Sequence, residues 1–233
     1  MHRTIPPLIL TVSLVCAASS APAQGTFQNL GFEAAHLSPI PPGQYGGYVS
    51  SAIGIPGWVG YLGTTQVTQV LQNNLTLGNA SIDILGPTWT EGGIIEGSYT
   101  LVLQPGSNPF SGNPNDHIDA SVEQTGLVPV DARSIQLKAS ASSFSVSFAG
   151  QALPLFPMGS GQNYTLYGAD LSSFAGQVGT LRITALTTLA QPSTADYFDS
   201  LIFSSQAVPE PTVFGLSALG ALLLGWRVLG RQR

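Results

Sequence analysis

Short segments in which apolar and polar residues alternate dominate the middle of the chain. Apolar side chains recur at every second position over residues 135–139, 144–148 and 181–185, and polar residues lie between them. A period of two is typical of a β-strand with one face on a core and the other in water. These three segments therefore predict half-buried antiparallel strands.

The rest of the central region predicts more strands of the same kind. Segments rich in apolar residues are separated by glycine, proline and asparagine turns, and we expect strands at 27–33, 67–71, 80–85, 98–103, 120–125 and 197–204. No sustained 3.6-residue period appears, and a single helical turn is predicted at 171–175. About nine short strands favour an all-β fold, an antiparallel two-sheet sandwich of jelly-roll type. Residues 38–47 and 105–115 are expected to form long surface loops.

Composition and charge exclude one class of function, nucleic-acid binding. The chain has 27 glycines and 17 prolines in 233 residues, more than long helices tolerate, and its charged fraction is 8%, against about 25% for an ordinary soluble domain. Residues 24–207 carry three basic and eleven acidic side chains, which leaves a net charge of −8. This balance excludes attraction to nucleic acid as the basis of function. Acidic loops that hold calcium fit it better.

The first 23 residues have the pattern of a secretory signal peptide. Arg3 precedes an uncharged stretch at 4–18, and small residues end at Ala23, after which we expect cleavage. A membrane anchor is the alternative, but the apolar stretch is short and two prolines interrupt it. The only cysteine, Cys16, lies in this segment. The mature chain would then have neither disulfides nor a thiolate nucleophile.

The last 26 residues combine three features in a fixed order. Pro209, Glu210 and Pro211 precede an uncharged segment at 212–226, and three arginines follow it: Arg227, Arg231 and Arg233. Fifteen helical residues span about 22 Å, so the segment predicts a short transmembrane helix with its arginines on the cytoplasmic side. An ordinary tail anchor is the alternative. Either interpretation places the central domain outside the cytoplasm.

This C-terminal arrangement resembles the PEP-CTERM sorting signal of Gram-negative bacteria. The resemblance covers residues 208–233 and implies recognition by an exosortase, a membrane protease-transpeptidase that processes its substrates near the Pro-Glu-Pro motif. It also implies that Pro209, Glu210 and Pro211 are the recognition element, that the helix is a temporary anchor, and that the arginines stop translocation.

Two stretches of the central region resemble a second family. Asn-Leu-Gly-Phe-Glu at 29–33, followed by Ile-Pro-Gly-Trp at 55–58, resembles the opening of galactose-binding-like, carbohydrate-module-like jelly rolls, and residues 196–203 resemble their closing strand. In that family the first and last strands lie side by side, and an acid from each often holds a structural calcium. The resemblance therefore implies that Glu33 and Asp199 are ligands of a structural calcium ion. We expect that no cofactor is required for function.

Binding and catalytic candidates are few. Exposed aromatic rings stack on sugar faces, and five residues are candidates for such a platform, with core packing as the alternative: Tyr45, Tyr48, Trp58, Tyr61 and Trp89. Two acid pairs are spaced for acid–base chemistry on a glycosidic bond, or else are solvated loop acids or loop cation ligands: Glu91 with Glu96, and Asp116 with Asp119 around His117. No nucleophile elbow, zinc-protease motif, phosphate loop or dinucleotide fingerprint occurs.

The sequence as a whole predicts an exported protein of the cell envelope or extracellular space, transiently anchored in the inner membrane. We expect a signal peptide at 1–23, a β-sandwich at 24–207 and a sorting signal at 208–233. The sandwich is expected to be non-catalytic, in a structural or adhesive role at the cell surface or in the extracellular matrix. A carbohydrate-binding module acting on exopolysaccharide is the second hypothesis, and a glycoside hydrolase-like enzyme is the third. The expected partners are an exosortase-type protease, exopolysaccharide and the membrane, but not nucleic acid.

Overall fold

A computed structural model describes residues 26–190 and 192–208. The predicted signal peptide, the Pro-Glu-Pro motif, the helix at 212–226 and the three terminal arginines lie outside these residues. Within the two described ranges, no helix is long and apolar enough to cross a membrane.

Sixteen strands account for a little under half of the described chain. They are β1 (Tyr48–Ser50), β2 (Val59–Leu62), β3 (Thr65–Val67), β4 (Gln69–Gln72), β5 (Ser81–Leu85), β6 (Thr100–Gln104), β7 (Gly106–Ser107), β8 (His117–Ile118), β9 (Ala120–Leu127), β10 (Ser134–Ser140), β11 (Phe144–Phe148), β12 (Gln151–Leu153), β13 (Phe156–Ser160), β14 (Thr165–Asp170), β15 (Val178–Ala185) and β16 (Asp196–Ser204). The helical content is one turn, α1 (Ser51–Gly54), and a 3₁₀ turn at Ser172–Phe174. The all-β prediction is confirmed, as is the helical turn expected at 171–175.

Fourteen of the strands form two sheets packed face to face, and β7 and β8 form a separate two-stranded sheet. One has eight strands in the order β1-β4-β5-β6-β16-β10-β14-β13, and the other has six in the order β12-β11-β15-β9-β2-β3. Both sheets contribute to one core, with Ile82 and Leu101 from the first and Val122 and Phe148 from the second. At Gly60 on β2, a Cβ would lie 2.7 Å from Ile82 Cδ1 on β5. Glycine at this position leaves room for the Ile82 side chain between the two sheets.

One strand pair is parallel, which the antiparallel prediction did not include. Leu71 of β4 lies opposite Asp83 of β5 in parallel register. The chain must therefore return along the sheet between these strands, and residues 73–80 make this connection. It crosses the outer face of β6, where Gln104 Nε2 donates to the carbonyls of Thr76 and Asn79, at 3.1 Å each.

The strand predicted at 27–33 is wrong. Asn29 and Phe32 have φ angles of 51° and 58°, in the left-handed region, so the segment turns instead of extending. Its apolar side chains are nevertheless buried. The last strand, β16, accordingly lies between β6 and β10 and not beside a first strand. Segment 27–33 meets β16 through a hydrogen bond from Leu201 N to Leu30 O, 3.0 Å long.

The two ends of the described chain leave the sandwich at the same pole. Thr26 N donates to Leu127 O, the end of β9, and Ser134 Oγ at the start of β10 donates to Gln206 O. We call this end the chain-end pole. The opposite end, where β9 begins beside Leu62, is the far pole. The eight residues of β9 separate the poles by about 25 Å.

Candidate functional site

Asp199, one of the two residues implied as calcium ligands, is a buried acid on the outer face of β16. The side chain is 1% exposed, and it precedes a bulge at which Ser200 has a φ of 50°. Its Oδ2 accepts hydrogen bonds from Glu96 N at 3.1 Å and from Thr100 Oγ1 at 2.9 Å, and its Oδ1 accepts one from Ser200 N at 2.6 Å. Burial raises the pKa of Asp199 to about 6 against the lowering effect of these bonds.

Glu33, the other implied ligand, is held by the same short segment. Its carboxylate accepts hydrogen bonds from Ser98 N, at 3.0 and 3.1 Å, and from Tyr99 N at 3.0 Å. Gly97 has a φ of 62°, and a Cβ there would overlap the Glu33 carboxylate. Residues 95–100, here called the amide turn, therefore present backbone N–H groups to both acids.

The amide turn does not fit a calcium site. Calcium takes six to eight oxygen ligands, whereas the oxygens of Glu33 and Asp199 face N–H and hydroxyl donors, which carry the positive partial charge that a cation would supply. Within 26–190 and 192–208, no three His, Cys, Asp or Glu side chains are grouped so that they could hold a metal ion. The two acids are brought together as the resemblance implies, but amides surround them.

A lysine forms an ion pair with Glu96 of the amide turn. Lys138, the neighbour of Asp199 across β10 and β16, places Nζ 2.7 Å from Glu96 Oε2. The hydrogen bond from Lys138 is the main reason that the pKa of Glu96 is lowered, and the Ser200 hydroxyl also donates to this carboxylate. The cluster thus ties the loop before β6 to the two central strands β10 and β16.

We expect calcium to leave thermal stability unchanged, because the amide turn already satisfies both carboxylates. Melting curves of the purified protein in millimolar calcium and in EGTA should coincide. A calcium-dependent rise that disappears in Asp199→Ala would contradict this expectation and support the calcium site instead. Calcium that bound only the native state, at a concentration a hundredfold above its Kd, would add about 2.7 kcal/mol to the free energy of unfolding.

The five candidate aromatic residues do not form one platform. Trp58 is 4% exposed, packs on Phe32 with ring centroids 5.6 Å apart, and donates from Nε1 to Asn29 O. It belongs to the core and is unavailable to a sugar. Tyr61 lies on the outer face of the six-stranded sheet, with the Arg182 guanidinium 4.9 Å from its ring centroid.

Tyr45 and Trp89 form a separate aromatic pair. Their ring centroids are 6.2 Å apart with the planes inclined at 58°, and the Tyr45 hydroxyl donates to Glu91 Oε1 at 2.8 Å. This hydrogen bond is the main cause of the raised pKa of Tyr45. Because the rings are tilted, the pair presents no flat surface to a sugar.

Tyr48, the fifth aromatic, lines a groove of about 370 Å³ toward the far pole. The groove lies between β3, at the edge of the six-stranded sheet, and β4 of the eight-stranded sheet, and the loop at 105–115 contributes Phe110. This site could not be predicted from the sequence, because two sheets and a loop distant in sequence build it. Phe110, in a segment rich in glycine, proline and asparagine, is the one local signal for it.

The acid pairs considered for catalysis are engaged in holding loops. Asp116 accepts a hydrogen bond from Asn108 Nδ2 at 2.8 Å, and Asp119 accepts one from Thr187 N at 2.7 Å. His117 Nδ1 lies 3.1 Å from Asn115 O. In the other pair, Glu91 bonds Tyr45 and Glu96 bonds Lys138. Each of the four acids thus contacts a side chain or a backbone group of a neighbouring segment.

Asp83 is a fully buried acid that could not be identified from the sequence. Asp83 on β5 accepts a hydrogen bond from Asn74 N at 2.9 Å through Oδ2, while Oδ1 has no hydrogen-bond partner among the described residues. Burial raises its pKa to about 8, although backbone N–H groups of Asn74, Ile84 and Asn73 oppose the shift. Burial therefore favours the protonated form of Asp83 at neutral pH.

No model of a known protein family matches the sequence, and no curated protein matches it either. The fold is an all-β sandwich.

Proposed function

We propose that this chain is an exported protein of the cell surface or extracellular matrix of a Gram-negative bacterium, with a non-catalytic sandwich of jelly-roll type in a structural or adhesive role. The observation that supports a non-catalytic role is the engagement of Glu91, Glu96, Asp116 and Asp119 in contacts that hold loops. Acid–base catalysis requires groups within reach of a substrate.

The proposal for export rests on the two ends of the sequence. The pattern at residues 1–23 supports translocation, and the order of Pro-Glu-Pro, apolar segment and arginines at 208–233 supports sorting by an exosortase. Both ends of the described region leave at the chain-end pole. A domain held at the membrane through its C-terminal segment would therefore present its far pole to the surroundings.

Mass spectrometry of the protein recovered from the envelope and medium tests the proposal. We expect an N-terminus at Gln24 and loss of the segment that carries Arg227, Arg231 and Arg233. A strain lacking its exosortase is the matched control and should retain the tail. Recovery of intact Arg233 in the mature surface protein would overturn exosortase processing, and recovery only in the cytoplasm would overturn export itself.

A second candidate function, carbohydrate binding, is favoured by the groove. Ligand sites are concave, apolar in part, and carry a few polar groups that fix orientation. The groove combines Tyr48 and Phe110 with hydroxyl and amide side chains. In this case the domain would act as a carbohydrate-binding module on exopolysaccharide. Release of reducing ends from exopolysaccharide by the purified protein would contradict both candidates, since neither is catalytic.

A further inference from the structure

We propose that the groove between β3 and β4 binds a neutral oligosaccharide, with Tyr48 and Phe110 as apolar surfaces and the amides of Gln66, Gln69 and Asn79 as hydrogen-bonding groups. This inference rests on the second candidate function and names its site and ligand class. Four observations support it: the chemistry of the lining, its unused hydrogen-bonding capacity, its exposed rings and its rigid walls.

Among the described residues, the lining of the groove contains no Asp, Glu, Lys, Arg or His. Its polar side chains are hydroxyls and primary amides, carried mainly by residues 65–69 and 76–81. The domain around it holds eleven acids, so an uncharged concave surface is a local property. A charged ligand would lose its hydration there without gaining an opposite charge. A ligand rich in hydroxyl groups can exchange its hydrogen bonds to water for bonds to these amides and hydroxyls.

The amides in the groove have free hydrogen-bonding capacity. Within 26–190 and 192–208, the side chains of Gln66, Gln69 and Asn79 make no hydrogen bond, whereas Gln72 and Gln104, buried nearby, donate to carbonyl groups. A primary amide offers two donors and an acceptor with two lone pairs. Each free amide can therefore bridge neighbouring hydroxyls of a sugar, which also both donate and accept.

Two aromatic rings are exposed beside these amides. Tyr48 is 68% exposed and Phe110 is 58% exposed. Sugars combine hydroxyl edges with apolar C–H faces, and aromatic rings in ligand sites cover such faces. The groove volume of about 370 Å³ lies within the range of about 300–1,000 Å³ that small ligands occupy.

The walls of the groove are fixed by backbone pairing and short loop contacts. The loop carrying Phe110 is closed by β7 pairing with β8, by Ser107 Oγ donating to Pro114 O at 3.0 Å and by Asn108 N donating to Asp116 O at 2.6 Å. On the other side, Gln104 Nε2 donates to Thr76 Oγ1 at 2.9 Å. Rigid walls reduce the entropy lost on binding.

Calorimetric titration of the full chain, purified in detergent, tests the proposal. The probes are the neutral hexasaccharides cellohexaose, maltohexaose, xylohexaose and mannohexaose, with hexagalacturonate as the acidic comparison. We expect binding of at least one neutral probe, and affinity lower by about tenfold or more in Tyr48→Ala, Phe110→Ala and Gln69→Ala. Tyr45→Ala is the matched control, because Tyr45 is also a tyrosine, is 64% exposed and lies outside the groove. All four variants change exposed residues and should remain folded at the titration temperature, which their melting curves check.

The outcomes separate this inference from the function on which it rests. Neutral-sugar binding that is lost in Tyr45→Ala but retained in the groove variants would overturn the site and leave carbohydrate binding standing. Preferential binding of hexagalacturonate would overturn the ligand class. Absence of binding to every probe would overturn both the site and the carbohydrate-binding candidate, while the proposal of a structural surface protein would stand on its own tests.

Discussion

Asp83→Asn should remove a large pH dependence of stability. The pKa of Asp83 is about 8 in the folded protein, against 3.8 for an unburied carboxyl group. Because the folded state holds the proton more tightly, the stabilisation is fully present below pH 3.8 and is lost as the pH rises from 3.8 to 8. At about 1.36 kcal/mol per unit, the wild-type protein should lose about 4 kcal/mol from this group between acidic pH and pH 7.

Chemical denaturation at pH 5, 6, 7 and 8 measures this effect as the difference between wild type and Asp83→Asn. The free energy of unfolding of the variant, relative to that of the wild type, should rise by about 1.36 kcal/mol per pH unit. The buried amide of the variant costs roughly 1–3 kcal/mol at every pH if a donor is left unpaired. Asp131→Asn is the control, because Asp131 is an exposed loop acid. Parallel stability curves for wild type and Asp83→Asn would show that Asp83 is ionised in the fold.

Trp58→Ala should lower the free energy of unfolding by about 3–5 kcal/mol. The indole is buried against Phe32 and its Nε1 bonds Asn29 O, so truncation opens a cavity and leaves a carbonyl without its donor. We expect a large fall in melting temperature. Sugar affinity measured below that temperature should be unchanged, because Trp58 does not line the groove.

Trp89→Ala is the comparison for this truncation. Trp89 is half-buried in a loop, and its Nε1 bonds only the nearby Gly92 carbonyl. Its removal should cost much less stability than removal of Trp58. An unchanged melting temperature in Trp58→Ala together with lost sugar affinity would reverse the assignment of Trp58 to the core.

Strands with one face in water could be predicted from the sequence. In β10, β11 and β15 the alternation of apolar and polar residues matches the alternation of buried and exposed faces. β13 lacks this signal, because Pro157 and Gly159 interrupt it. Segment 27–33 was predicted as a strand from its apolar residues. Positive φ angles at Asn29 and Phe32 make it a turn instead, and its apolar side chains are buried from that turn.

The parts of the site that were missed depend on contacts between distant residues. The pattern of β5 suggests that Ser81 and Asp83 face water, but loop residues cover that face of the sheet and bury both. No local pattern records this cover. The amide turn was equally hidden, since backbone N–H groups carry no sequence signature. The resemblance named Glu33 and Asp199 on the expectation that the first and last strands lie side by side, which the structure does not show, and the donors around the two acids could not be predicted.

The position of β16 has a mechanical consequence. This strand ends the described domain, and it lies inside the eight-stranded sheet with β6 on one side and β10 on the other. A protein tethered through its C-terminal segment would transmit a pulling force along β16. Interstrand hydrogen bonds run perpendicular to an antiparallel strand, so such a force would load in shear the bonds to β10 along the strand and the bonds to β6 at Asp196–Phe198. The tether would therefore act on an interior strand, which resists extraction better than a strand at the edge.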